Sequence, residues 1–267
     1  MNEDTYYGND GILYCSRCNT PREVIFTIGG KEVRRSILCD CLAREQEKEK
    51  IKNAENLERA EFRKRQEKCF GEDSKKLFRW TFENDDGQDK NVIEIARNYA
   101  ANFKEHREKG EGLLLYGDVG RGKSFAAAAI ANELLKQHIP VRMANILDLA
   151  REYSSVGIAE RDNYVKRLNR CSLLIIDDYG AENLTDYLEN MLFQIIDARY
   201  RSDKPLIITT NLLPTNKLIK SERIKKINDR IFEICKPIDV NIYRNKSRRM
   251  EIKQTEIKKT EPKRTEM

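Results

Sequence analysis

No apolar run in this 267-residue chain approaches the roughly 20 residues needed to cross a bilayer. The opening MNEDTYYGND is acidic and lacks the apolar stretch of a secretory leader. These absences argue against a membrane role and make the cytoplasm the expected compartment. Histidine is scarce, with two in the chain, and neither accompanies the cysteines near the start. That argues against a catalytic zinc centre, which commonly uses histidine and keeps an open position. Proline and glycine are missing from 43 to 70, so nothing there interrupts a helix.

Apolar residues make up 39% and charged residues 35%, a surface-rich composition with enough core for a folded domain. The net charge of +6 favours a polyanionic partner. Much of the basic character lies in the segment from Arg244, and residues 246–267 read as a basic, disordered tail with a weak electrostatic pull on nucleic acid.

Four of the seven cysteines fall within the first 41 residues, as Cys15-x-x-Cys18 and Cys39-x-Cys41. In a reducing compartment a metal site explains such a cluster better than disulfides. Between the pairs, VIFTI and SIL read as short strands separated by a Gly29-Gly30 hairpin turn. A segment this short buries little surface, and four thiolates around Zn²⁺ would staple it. Residues 1–42 are therefore expected to form a structural zinc module. Residues 43–76 follow as an exposed charged helical linker, with pairs such as Glu45/Lys48 and a helix end at Gly71.

From about Leu77 to residue 245, helical patterns alternate with GLLLYG, PVRMAN, CSLLIIDDYG, PLIITTN and the weaker KPIDVNI. Buried-type strands interleaved with helices imply an α/β domain, a parallel sheet flanked by helices on both faces. Gly117-Asp118-Val119-Gly120-Arg121-Gly122-Lys123-Ser124 matches the full phosphate-binding loop pattern between a strand and a helix. Its backbone N–H groups and the helix start would cradle phosphates of ATP, with Lys123 on the β- and γ-phosphates and Ser124 on Mg²⁺. LLII ends in Asp177-Asp178 at the strand edge where ligands sit in such sheets. Asp177 would hold Mg²⁺ through water and Asp178 would polarise the attacking water. Asn211, at the tip of LIITT, would orient that water. Arg230 is one of several basic residues that could serve a neighbour's γ-phosphate in trans.

GDVGRGKS, LLIIDDYG, IITTN and NDRIFE, in that order, resemble the AAA+ ATPases of the bacterial replicative-helicase loader group, the DnaC/DnaI type, including Gram-positive and prophage versions. Arg79-Trp80-Thr81-Phe82-Glu83-Asn84 is similar to the segment leading into their core, and Ile242-Tyr243-Arg244 to their closing signature, with Ile at a small polar position. The cysteine-bearing start is similar to their zinc-containing version. The resemblance implies an AAA+ fold over residues 77–245, slow ATP hydrolysis unless assembled, and self-association with Arg230 as the trans-acting finger. Arg244 would lie near the nucleotide or the next subunit. It implies a hexameric replicative DNA helicase and single-stranded DNA as partners, the first gripped by the amino-terminal module. The competing readings are a transposase's ATPase helper (IstB-like), which shares the core, and a DNA-binding scaffold in which ATP is structural.

Overall fold

The computed structural model describes residues 4–87, 90–180, 185–212 and 221–243, and the chain divides into two compact units, 1–61 and 62–267. Arg244 and the tail at 246–267 lie outside the described residues. Among the described residues no helix is long and apolar enough to cross a membrane.

In the first unit, β1 (Thr5–Tyr7) pairs antiparallel with β2 (Leu13–Cys15), and β3 (Glu23–Ile28) with β4 (Lys31–Ser36). Gly29 and Gly30 join β3 to β4 with φ of +56° and +80°, the backbone a two-residue hairpin turn requires. That turn pairs Ile28 with Lys31, so the second strand starts at once as KEVRRS. The expected strand SIL is displaced, because turn length fixes register and the β3–β4 ladder ends at Ser36, with the Ile37 N–H reaching Arg22 O just beyond it.

Helix α1 (Asp40–Phe70) is unbroken for 31 residues and ends where Gly71 takes φ +87°. Ile51 and Leu57, in the first unit, are exposed, whereas Gln66, Cys69 and Phe70 are buried in the second. The helix expected as a linker over 43–76 thus contributes to the core of the second unit through its last turns.

The second unit adds α2 (Lys90–Ala101), α3 (Phe103–Lys109), β5 (Gly112–Tyr116), α4 (Lys123–Lys136), β6 (Val141–Asn145), α5 (Ile146–Ser155) and α6 (Arg161–Leu168). It continues with β7 (Leu173–Asp177), α7 (Asp186–Arg201), β8 (Leu206–Thr210), α8 (Glu222–Ile234) and β9 (Cys235–Asp239). Five strands form one parallel sheet in the order β6-β7-β8-β5-β9. Strand side chains alternate between two cores. Leu113, Leu115, Leu173, Ile175 and Ile207 face α2 and α4, while Leu114, Leu174, Ile176, Leu206 and Ile208 face α5 to α8. Both faces are covered, which is why these strands read as continuous apolar runs.

The strand order creates the site. From β5 the chain crosses through α4, on one face, to β6, whereas from β8 it leaves toward α8, on the other face, and then β9. Neighbouring strands whose connections depart to opposite faces leave a crevice at their carboxyl ends.

A buried polar clip braces this region. Asn132 of α4, fully buried, donates through Nδ2 to the carbonyls of Leu77 and Trp80 at 2.9 Å each. Its Oδ1 accepts from Gln66 Nε2 of α1 at 2.7 Å, and that nitrogen also reaches Phe78 O at 3.0 Å.

Candidate nucleotide-binding site

The loop 117–122 joins β5 to α4. Gly117, Gly120 and Gly122 have φ of +139°, +80° and +80°, a region any Cβ disfavours. At Gly117 a Cβ would also meet side-chain atoms of Val240 and Asn241 at 2.8 and 2.9 Å. Asn241 Oδ1 accepts from Asp118 N at 2.9 Å, fixing the start of the loop from beyond β9. Helix α4 begins at Lys123, so its amino-terminal end opens onto the loop.

Lys123 is 4% exposed, and its Nζ donates to Gly117 O, Asp118 O and Asn211 Oδ1, each at 2.8 Å. The last contact bridges the start of α4 to the residue that follows β8. Residues 88 apart in sequence therefore meet at the crevice.

At the end of β7, Asp177 Oδ1 accepts from Thr209 Oγ1 at 2.6 Å. Burial pushes the Asp177 carboxyl up from its ordinary range. The Thr209 hydroxyl pulls it back, the Asp178 charge adds to the rise, and Ser124 and the Lys123 ammonium oppose it. Asp178 is exposed and takes φ +55°, unusual for a residue with a side chain, and its N–H donates to Thr209 Oγ1 at 2.9 Å. One fully buried hydroxyl thus fixes both members of the acidic pair. Thr209 is absent from the expected site because threonine in a strand ordinarily reads as β-branched filler.

Lys123, Ser124, Asp178 and Asn211 line one cleft of about 520 Å³. Its opposite wall, which sequence reasoning missed, comes from Lys76, Arg79, Trp80 and Asn84, the segment before α2. Ser124 and Asp177 present oxygens suited to a hard cation such as Mg²⁺, and Lys123 with the loop amides suits phosphate oxygens.

Arg230 does not line this cleft. It lies on α8, paired with Asp197 of α7 at 2.7 Å and stacked 4.5 Å over the Phe193 ring. Asp197 also pairs with Arg201 at 2.8 Å.

In the first unit the sulfurs of Cys15, Cys18, Cys39 and Cys41 lie within 4.8 Å of one another, close enough to share one metal ion. Cys15 ends β2, Cys18 follows in the turn, Cys39 precedes α1 and Cys41 lies in its first turn. The Thr20 hydroxyl, 3.0 Å from Cys18 Sγ, contributes most to lowering that thiol to about 6, whereas hydrogen bonding of the Cys41 thiol to Cys39 and Cys15 raises Cys41 to about 12. Four thiols clustered this closely fit a structural ion such as Zn²⁺.

The sheet order, the loop and the acids at one strand edge define an ATP-binding protein of the AAA+ type. Over residues 41–254 the chain matches the family model described as "IstB-like ATP binding protein", and it belongs to that family, within the clade of AAA+ ATPases that includes DnaI. It is 29% identical over 141 residues to the replicative helicase loader DnaI of Bacillus subtilis, covering 50% of this chain and 44% of DnaI. It is also 29% identical over 113 residues to an ATP-binding protein in an insertion sequence of Mycobacterium tuberculosis, covering 41% of this chain and 44% of that one. The matches thus span less than half the length of these two relatives. A solved DNA replication initiation factor shares the fold, with a TM-score of 0.52 and 20% identity over 68% of this chain and 55% of that one.

Proposed function

We propose that this chain hydrolyses ATP at the cleft between Lys123 and Asp178 and uses the cycle to place a hexameric replicative DNA helicase on single-stranded DNA. The observation carrying the ATPase half is the convergence of Lys123, Ser124, Asp177, Asp178 and Asn211 at one sheet edge, with Lys123 and Asn211 2.8 Å apart. In this reading Lys123 and the loop amides bind the β- and γ-phosphates, and Ser124 and Asp177 hold Mg²⁺, which supplies charge neutralisation between those phosphates. Asp178 orients the attacking water, and Asn211 exchanges its contact with Lys123 for one near the γ-phosphate. Arg230 leaves Asp197 to complete a neighbour's site, so self-association through the ATPase units raises turnover. Residues 1–42 form a zinc module that grips the helicase, 43–76 the linker, and 77–245 the ATPase domain.

The helicase part draws on the similarity to DnaI and on the four-cysteine unit preceding the ATPase domain. A second reading, the ATPase helper of a transposase, is favoured by the IstB-like family description and by the insertion-sequence relative. The discriminating experiment mixes the protein with the host's replicative helicase, or with a transposase from the same genome, with and without Mg·ATP. Size analysis and a DNA-loading assay are the readouts. A helicase complex that loads supports the first reading. A transposase complex with no helicase complex under any nucleotide condition overturns it.

A further inference from the structure

The cleft beside the phosphate loop is larger than a phosphate chain requires, and its far wall carries the only tryptophan in the sequence. The Trp80 ring is half-buried. Phe125, in the first turn of α4, packs against it with centroids 6.0 Å apart and planes at 54°. Lys76 Nζ lies 5.3 Å from the ring centroid. The Trp80 carbonyl is held by Asn132, two turns further along the helix that starts at Lys123. One helix therefore sets an aromatic plane at a fixed place relative to the phosphate grip.

We propose that Trp80 is the seat of the nucleotide's base, with Phe125 backing the ring and Asn132 acting as a positioning residue. This rests on the phosphate-loop reading and deepens it. The ligand class is a nucleoside di- or triphosphate rather than bare polyphosphate. Because every base has a π-face and stacking is tolerant of base identity, discrimination among bases is modest.

The test uses the full chain and Trp80's own emission, titrated with Mg·ADP, Mg·ATP and Mg·tripolyphosphate. The nucleotides change the emission saturably. Tripolyphosphate displaces a bound nucleotide and returns the emission to its ligand-free value. Calorimetry on Trp80→Phe and Trp80→Ala supplies the second arm. Phe keeps ADP affinity within about threefold and Ala loses about tenfold or more, while tripolyphosphate affinity stays within about twofold in both. ADP binding that requires Lys123 but leaves the emission and the Ala affinity unchanged overturns the base seat and spares the phosphate loop. If neither ADP nor tripolyphosphate binding depends on Lys123, the phosphate-loop reading fails and the base seat with it.

Discussion

Replacing Asn132 by Leu tests how the segment at 77–80 is held against α4. The side chain keeps its approximate size but loses three hydrogen bonds, to Leu77 O, Trp80 O and Gln66 Nε2. Leu77 O retains the Trp80 N–H at 3.2 Å, and Gln66 retains Phe78 O, so the Trp80 carbonyl is the group left most exposed to an orphaning cost. At about 1 kcal/mol net for each bond and about 1 kcal/mol for the orphaned acceptor, the loss is about 4 kcal/mol. For a unit of this size that lowers Tm by roughly 8–16 °C. Urea unfolding followed by Trp80 emission measures it directly. A cycle with Gln66→Leu adds a check, since both single variants break the 2.7 Å bond, and the double variant falls short of the sum by about 1 kcal/mol. A loss under about 1 kcal/mol with an unchanged denaturant slope would refute the clip as a structural brace.

Thr209→Val removes the hydroxyl shared by Asp177 and Asp178 while keeping the side chain's shape; ATP hydrolysis falls about tenfold or more, with ATP affinity changed by less than about threefold, in a steady-state assay paired with calorimetry. Titrating the protein with a thiol-reactive mercurial releases about one zinc ion per chain, and Cys39→Ser abolishes that release. Zinc retention weakens as pH falls, because the four thiols must be deprotonated to ligate. Arg230→Ala leaves the slow turnover of dilute protein unchanged but removes the rise in specific activity with protein concentration, read from phosphate release across a dilution series.

The parts of the fold written in contiguous residues were legible beforehand. A buried parallel strand is a short apolar run, and a phosphate loop is eight consecutive residues, so all five strands and the loop with its flanking elements could be placed. The end of α1 at Gly71 was likewise local. What escaped reading depends on partners far apart in the chain. Asn132 resembles a surface residue in an alanine-rich helix until Trp80, 52 residues away, turns its carbonyl toward it. Gln66 looks like one more polar position in a charged helix. Arg199, followed by Tyr200 and Arg201, reads as exposed, yet it is fully buried and donates to the carbonyls of Cys171, Ser172 and Pro205. The strand KEVRRS was hidden by its polarity, since only the turn and not hydrophobicity sets its register. Arg230 could be chosen from its basic neighbours only by resemblance, and its Asp197 partner lies on another helix.

Everything functional depends on the loop around Lys123 binding a nucleotide whose metal is anchored by Ser124 and Asp177. Isothermal titration of Mg·ATP into the wild-type chain, Lys123→Ala and Asp178→Ala, with phosphate release measured on the same samples, addresses this most directly. Wild type binds and turns over ATP. Lys123→Ala loses about a hundredfold or more in affinity, and Asp178→Ala binds normally but hydrolyses at least about a hundredfold more slowly. Equal ATP affinity in wild type and Lys123→Ala, or no binding by wild type at millimolar Mg·ATP, would contradict it.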